Sequence, residues 1–159
     1  RMPKPVFKKI NLPKLNTRST SLYKLSEKDV DINLLNKNNK IEINADEEQL
    51  NRVFINLIKN SIESIHDKKI KKADFKGKIE VDINEDSDYI FITIKDNGIG
   101  FDQVDKTKMI TPYFTTKKKG TGLGLAVVTK IITDHNGVIS FNSINNGAKI
   151  EILLPKYYD

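Results

Sequence analysis

The chain has 159 residues, 27 of them basic and 21 acidic, for a formal charge of +6, and 38% of it is hydrophobic. It has no cysteine, which excludes disulfides and thiolate metal sites. No apolar run reaches the roughly 18 residues of a membrane-spanning helix, and no signal peptide is visible.

The opening at Arg1 rather than Met reads as a piece of something longer, expected to be a cytoplasmic domain. Positive charge concentrates in Lys68-Lys69-Ile70-Lys71-Lys72 and in Lys117-Lys118-Lys119. No aromatic residue punctuates the first run, so it is expected to be a solvated loop, and no nucleic-acid partner is expected.

In chain order, residues 1–14 carry Pro3, Pro5 and Pro13 and are expected to be an extended linker rather than a packed element. A short helix is expected over 15–25. Short strands are expected over 30–35 and 40–43, joined by a turn at 36–39. Asp46 is a good N-cap, with Glu47 and Glu48 favouring the dipole of the helix that follows. Leu50, Val53, Phe54, Leu57, Ile58, Ile62 and Ile65 then recur with helical period over 50–65.

Ile79, Val81 and Ile83 alternate, as do Ile90, Ile92 and Ile94, which predicts an antiparallel hairpin with one buried face. Residues 101–120 carry Pro112 and are expected to be a loop. A second apolar helix is expected over 122–135, stopping at Asn136-Gly137. Residues 138–142 and 149–154 are expected to close the chain as a hairpin turned at Asn145-Asn146-Gly147. The pattern predicts an α+β fold, with helices on one face of a mixed sheet, in one domain over 15–159.

Three groups of residues could carry chemistry. Alternation puts Asp96 on the same face as Ile90, Ile92 and Ile94, where an unpaired carboxylate is costly. It either caps the donors of the Asp96-Asn97-Gly98 turn or accepts a hydrogen bond from a ligand such as an adenine amino group. Gly98 and Gly100 leave bare backbone beside it. On the 50–65 helix, Asn56, Asn60 and Glu63 share one edge. They are either surface polarity or neutral oxygens for a magnesium ion that bridges phosphates.

The glycine run Gly120-Thr121-Gly122-Leu123-Gly124 enters a helix, where free N–H groups can hold phosphate. Thr116, Lys117 and Thr121 could add donors. It fits neither the Walker nor the Rossmann pattern. His66 and His135, each at the end of a predicted helix, are read as compensating helix dipoles.

Together these segments resemble the catalytic, ATP-binding domain of sensor histidine kinases, of the GHKL or Bergerat-fold superfamily. Asn51-Arg52-Val53-Phe54-Ile55-Asn56-Leu57-Ile58-Lys59-Asn60 is similar to its N box and Asp96-Asn97-Gly98-Ile99-Gly100 to its G1 box. Pro112-Tyr113-Phe114-Thr115-Thr116-Lys117 is similar to the F box and Gly120-Thr121-Gly122-Leu123-Gly124-Leu125 to G2. Gly147-Ala148 resembles the terminal G3 element. The likeness covers 32–155, and its Tyr-Phe-Thr-Thr-Lys wording looks most like nitrogen-regulation kinases of the NtrB/NtrY type.

The resemblance implies a two-layer α/β sandwich with a mostly antiparallel sheet. It implies that Asp96 binds the adenine amino group, that Asn60 coordinates Mg²⁺, and that Asn56 supports the phosphate end. Gly98, Ile99, Gly100, Gly122, Leu123 and Gly124 would shape the pocket and its lid, with Phe114 as the apolar anchor of that lid. The cofactors implied are ATP and Mg²⁺. The partners implied are a histidine-bearing dimerisation domain, to which residues 1–14 would link, and a response regulator. The parent would be dimeric and anchored in the inner membrane.

Three positions depart from the family pattern. Glu63 stands where a phosphate-binding Lys is common, so Lys117 would substitute. Ala148 stands where Thr often supports an adenine-bound water. Asn56 stands where gyrase-like ATPases carry a general-base Glu, which favours transfer over hydrolysis. Neither His66-Asp67 nor His135-Asn136 matches the context of an acceptor histidine. The rival readings are an autonomous ATPase, a serine kinase of the anti-sigma type, and a nucleotide-binding regulatory module without kinase activity.

Overall fold

A computed structural model describes residues 2–35, 38–72, 74–101 and 124–157. In chain order its elements are β1 (Lys8–Asn11), α1 (Leu12–Ser26), β2 (Val30–Leu34), β3 (Glu42–Ala45), α2 (Glu47–Lys71), β4 (Gly77–Glu85) and β5 (Tyr89–Asp96), followed by α3 (Gly124–Asp134), β6 (Val138–Ile144) and β7 (Gly147–Pro155).

The alternating segments make a five-stranded sheet in the order β2-β4-β5-β7-β6. Only the β2–β4 pair is parallel; the rest of that sheet is antiparallel. Ile79, Val81 and Ile83 of β4, Ile90, Ile92 and Ile94 of β5, and Ile150, Ile152 and Leu154 of β7 are all 3% exposed or less. They face the helices. Tyr89, Phe91 and Val138 are exposed, as strand alternation requires of a sheet covered on one side. The α+β class and the one-sided helical layer match the sequence expectation.

Helix α2 crosses the buried face, and its row of Leu50, Val53, Phe54, Leu57, Ile58, Ile62 and Ile65 is buried. Each such side chain contributes about 1.5–3 kcal/mol through burial. Helix α1 packs on α2 and β2, and α3 packs on α2 and β6. Asp46 caps α2 as expected: Oδ1 accepts from the Gln49 amide at 3.0 Å, and Oδ2 from the Val6 amide at 2.7 Å.

Several expectations are corrected. The first dozen residues are not all extended linker, because Lys8–Asn11 is strand β1, paired antiparallel with β3. Helix α1 starts at Leu12, with Asn11 accepting from the Lys14 amide and Pro13 in the first turn, where no donor is needed. The short strands expected over 30–35 and 40–43 are present as β2 and β3, but in different sheets. Strand β2 joins the large sheet beside β4, and β3 joins β1.

Helix α2 continues six residues past Ile65 to Lys71, so the basic run Lys68-Lys69-Ile70-Lys71 is its last turns rather than a loop. Its cations sit at the negative end of the dipole. Apolar periodicity stops earlier because the helix has left the core, and Ile70 is 85% exposed. The last turn is the pair Asn145-Asn146, with Asn146 at φ 66°, and Gly147 already belongs to β7. No helix among the described residues is long and apolar enough to cross a membrane.

Candidate nucleotide-binding site

The end of β5 lies between β4 and β7, so Asp96 faces Ile79 on one side and Ala148 on the other. Its residue is 7% exposed. Burial pushes the carboxyl above its ordinary value of 3.8, opposed by hydrogen bonds from the Gly98 amide, the Ser61 hydroxyl and the Ala148 amide, and by the charge of Lys68. The Gly98 amide donates to Oδ1 at 2.9 Å. Asp96 therefore does cap its own turn. An ionised carboxylate offers about four acceptor positions, so these three donors leave acceptor capacity for a ligand.

The turn that follows is pressed onto α2. A Cβ on Gly98 would overlap Ser64 Oγ and stand 2.8 Å from the Ser64 backbone carbon. Ser64 Oγ accepts from the Ile99 amide at 2.9 Å. Lys68 Nζ donates to the carbonyls of Asn97 at 3.0 Å and Gly98 at 3.3 Å, with its charge 4.8 Å from the Phe75 ring centroid. Asn97 reaches the other way: its side chain accepts from the Lys78 amide and donates to the Lys76 carbonyl.

Beyond Gly100, at φ 76°, the Phe101 amide donates to Ser143 Oγ at 2.6 Å and the Phe101 ring meets Phe141 edge-on. The acid is thus held between α2 and the β6–β7 hairpin.

Asn56 and Asn60 sit one turn apart on α2, both half-buried. Asn56 Oδ1 lies 3.8 Å from where a Cβ on Gly124, the first residue of α3, would stand. The asparagine edge and the start of the second apolar helix therefore do converge, beside the face that carries Ser61, Ser64 and Lys68. Among the described residues no three His, Asp or Glu side chains cluster as a metal cage. Neutral amide oxygens such as that of Asn60 fit a cation that takes most of its ligands from phosphate and water. Phe114, Thr116, Lys117, Gly120, Thr121, Gly122 and Leu123 lie outside the described residues.

Ser61, Ser64, Lys68 and Ser143 escaped the sequence reading as site residues. The signal for the first three was their i, i+3, i+7 spacing on the helix that carries Asn60. Glu63 acts on α1 instead: burial first, then Glu63 and Glu27, hold the Tyr23 phenol above its ordinary value.

Of the two histidines, His66 is corrected and His135 stands where expected, at the end of its helix. His66 is inside α2, with Nε2 2.7 Å from Glu27 Oε1 at the end of α1. His135 is 3% exposed, and its Nε2 accepts from the Asp46 amide at 3.1 Å. The Nδ1–H then donates to the Ile131 carbonyl at 2.8 Å, so a neutral ring ties the end of α3 to the cap of α2.

Residues 45–158 match the family model described as histidine kinase-, DNA gyrase B- and HSP90-like ATPase. Sporulation kinase A of Bacillus subtilis (strain 168) is 42% identical over 117 residues, 73% of this chain and 18% of that protein. A putative NtrY-like sensor histidine kinase of Rickettsia conorii is 35% identical over 153 residues, 96% of this chain and 24% of that protein. The chain thus spans between 18% and 24% of the length of these relatives.

The catalytic domain of histidine kinase ThkA superposes with a TM-score of 0.79 at 28% identity, covering 95% of this chain and 96% of that one. ThkA in complex with the response regulator TrrA gives 0.74 at 24% identity, covering 96% and 42%, a likeness of fold. The chain belongs to the histidine kinase-, DNA gyrase B- and HSP90-like ATPase family, with the fold of a sensor histidine kinase catalytic domain.

Proposed function

We propose that this domain binds Mg²⁺-ATP and presents the γ-phosphate to a histidine on a separate dimerisation domain of the same parent protein. The carrying observation is Asp96, a buried acid with its orientation set by Gly98 and Ser61 and with acceptor capacity left over. An adenine amino group supplies the donor such an acceptor needs.

Asn56 and Asn60 lead from that acid toward Gly124 and the start of α3, the direction in which a triphosphate would run. Asn60 would hold Mg²⁺, which when bound neutralises phosphate charge. Lys117 and the amides of 120–124 would complete the phosphate end. Asn56 cannot abstract a proton from water, which favours transfer to an acceptor over hydrolysis. Catalysis would then consist mostly of placement and charge neutralisation.

The likeness to NtrY-like kinases over 96% of the chain supports a nitrogen-regulation type of parent. That parent would be a dimeric sensor with this domain on the cytoplasmic side of the inner membrane, passing its phosphoryl group to a response regulator. The N-terminal segment ahead of β1 would link to the dimerisation domain.

Titration with fluorescent ADP, with and without Mg²⁺, tests the first half; no binding in either condition defeats it. Adding the histidine-bearing helical domain and γ-labelled ATP tests the second, with label expected on that histidine. Steady phosphate release without an acceptor would make the domain an ATPase instead.

A further inference from the structure

We infer that Lys68 is a positioning residue for base recognition, acting through two consecutive peptide units of the 96–99 turn rather than by touching the nucleotide. The inference rests on Asp96 being the base acceptor.

In a trans peptide the C=O and N–H of one unit point in opposite directions. Lys68 Nζ holds the Asn97 carbonyl at 3.0 Å, and the N–H of that same unit, on Gly98, donates to Asp96 Oδ1 at 2.9 Å. Nζ also holds the Gly98 carbonyl at 3.3 Å, and the N–H of that unit, on Ile99, donates to Ser64 Oγ at 2.9 Å. Each unit is therefore gripped at both ends.

Turning either plane would take the Gly98 amide off the acid or the Ile99 amide off Ser64. Ser61, three residues before Ser64, bonds the acid itself. One face of α2 thus fixes the carboxylate and the loop beside it. Gly98 runs so near Ser64 that a side chain there would not fit, which keeps the turn against that face of α2.

Lys68 carries a second effect through its charge. Among the described residues it is the charged group acting on Asp96, while β4 and β7 present Ile79 and Ala148 at that register. Lys95 and Lys149, the neighbours along β5 and across on β7, alternate to the opposite face. Burial favours the protonated acid and Lys68 opposes it. Without Lys68, protonation would compete with the ligand at higher pH.

The test is ADP affinity of the whole chain from pH 5 to 8, for the wild type, Lys68→Met and Lys68→Arg, with thermal unfolding measured alongside. Lys68→Met is expected to bind about tenfold more weakly at neutral pH, the effect of losing charged hydrogen bonds. Its acid limb should move to higher pH. Lys68→Arg, which can donate to two carbonyls, should restore both affinity and profile.

If Lys68→Met does not fold, Ser64→Ala carries the test by removing the Ile99 partner, and weaker ADP binding is again expected. Wild-type affinity and profile in Lys68→Met, or in Ser64→Ala when it stands in, would overturn the role of Lys68 alone. A wild type that binds no ADP would overturn the nucleotide reading and this role with it.

Discussion

Gly147, the first residue of β7, lies so close to Asp96 that a Cβ on it would overlap the carbonyl oxygen of the acid and stand 3.0 Å from Asn97 Cα. The obstructing atoms are backbone in a paired strand, so they cannot swing away. Gly147→Ala should lower the unfolding free energy by about 1–3 kcal/mol, the usual cost of forcing a methyl into filled space. ADP binding should weaken with it, because the displaced backbone carries Asp96. Chemical denaturation reads the first effect, and an unchanged midpoint would mean the turn yields freely.

Asp96→Asn separates stability from binding. The folded state raises the Asp96 carboxyl above 3.8 because of burial. This group therefore favours folding most below the ordinary value, and its contribution is lost as pH rises through the folded value. At pH 7 the amide variant should be at least as stable as the wild type, with its advantage shrinking as pH falls toward 3.8. Binding of ADP should nevertheless collapse. A marked loss of stability at pH 7 would contradict the burial argument, and retained affinity would remove Asp96 from base recognition.

Gly124→Ala asks whether a glycine serves the fold or a ligand. A Cβ there meets Asn56 Oδ1 at 3.8 Å, an ordinary contact, so packing among the described residues does not require glycine. Stability should hold or rise by about 0.4–1 kcal/mol, since alanine restricts the unfolded chain. ADP affinity should fall about tenfold if phosphate passes over that backbone, the scale of overpacking by one methyl. Unchanged affinity would place the phosphates elsewhere.

His135→Leu leaves the Asp46 amide without its acceptor in a part-buried setting. The expected loss is about 1–3 kcal/mol in denaturant unfolding. ADP affinity of the folded protein should not move, because His135 acts on the N-terminal cap of α2 and the Asp96 contacts lie near the other end of that helix. A destabilised variant that also loses ADP affinity would show the two ends of α2 to be coupled.

Elements that bury one face were readable from pattern. The Leu50 to Ile65 row, the 79–83 and 90–94 alternation and the Asp46 cap all carry a local signal. The partners of β1, β2 and β3 were not readable, because pairing Ile10 with Ile43 or Ile32 with Ile79 depends on distant chain. Asp96, Asn56 and Gly98 stood out as residue types that sit poorly where they are unless something needs them. Ser61, Ser64 and Lys68 are ordinary on a helix and acquire meaning only from the turn they touch. Gly147 was legible as a turn residue and by its family resemblance, but the close approach of the Asp96 backbone that requires a glycine there depends on a neighbouring strand.

The last strand, β7, is inserted between β5 and β6 and supplies the Ala148 amide that bonds the acid. During synthesis, therefore, Asp96 must wait for some fifty further residues to emerge before its surroundings exist. Proteolytic fragments ending ahead of Gly147 would keep every asparagine and most of the glycines, yet lack the strand that flanks Asp96. Such products would be competitors for folding factors and blanks for ligand.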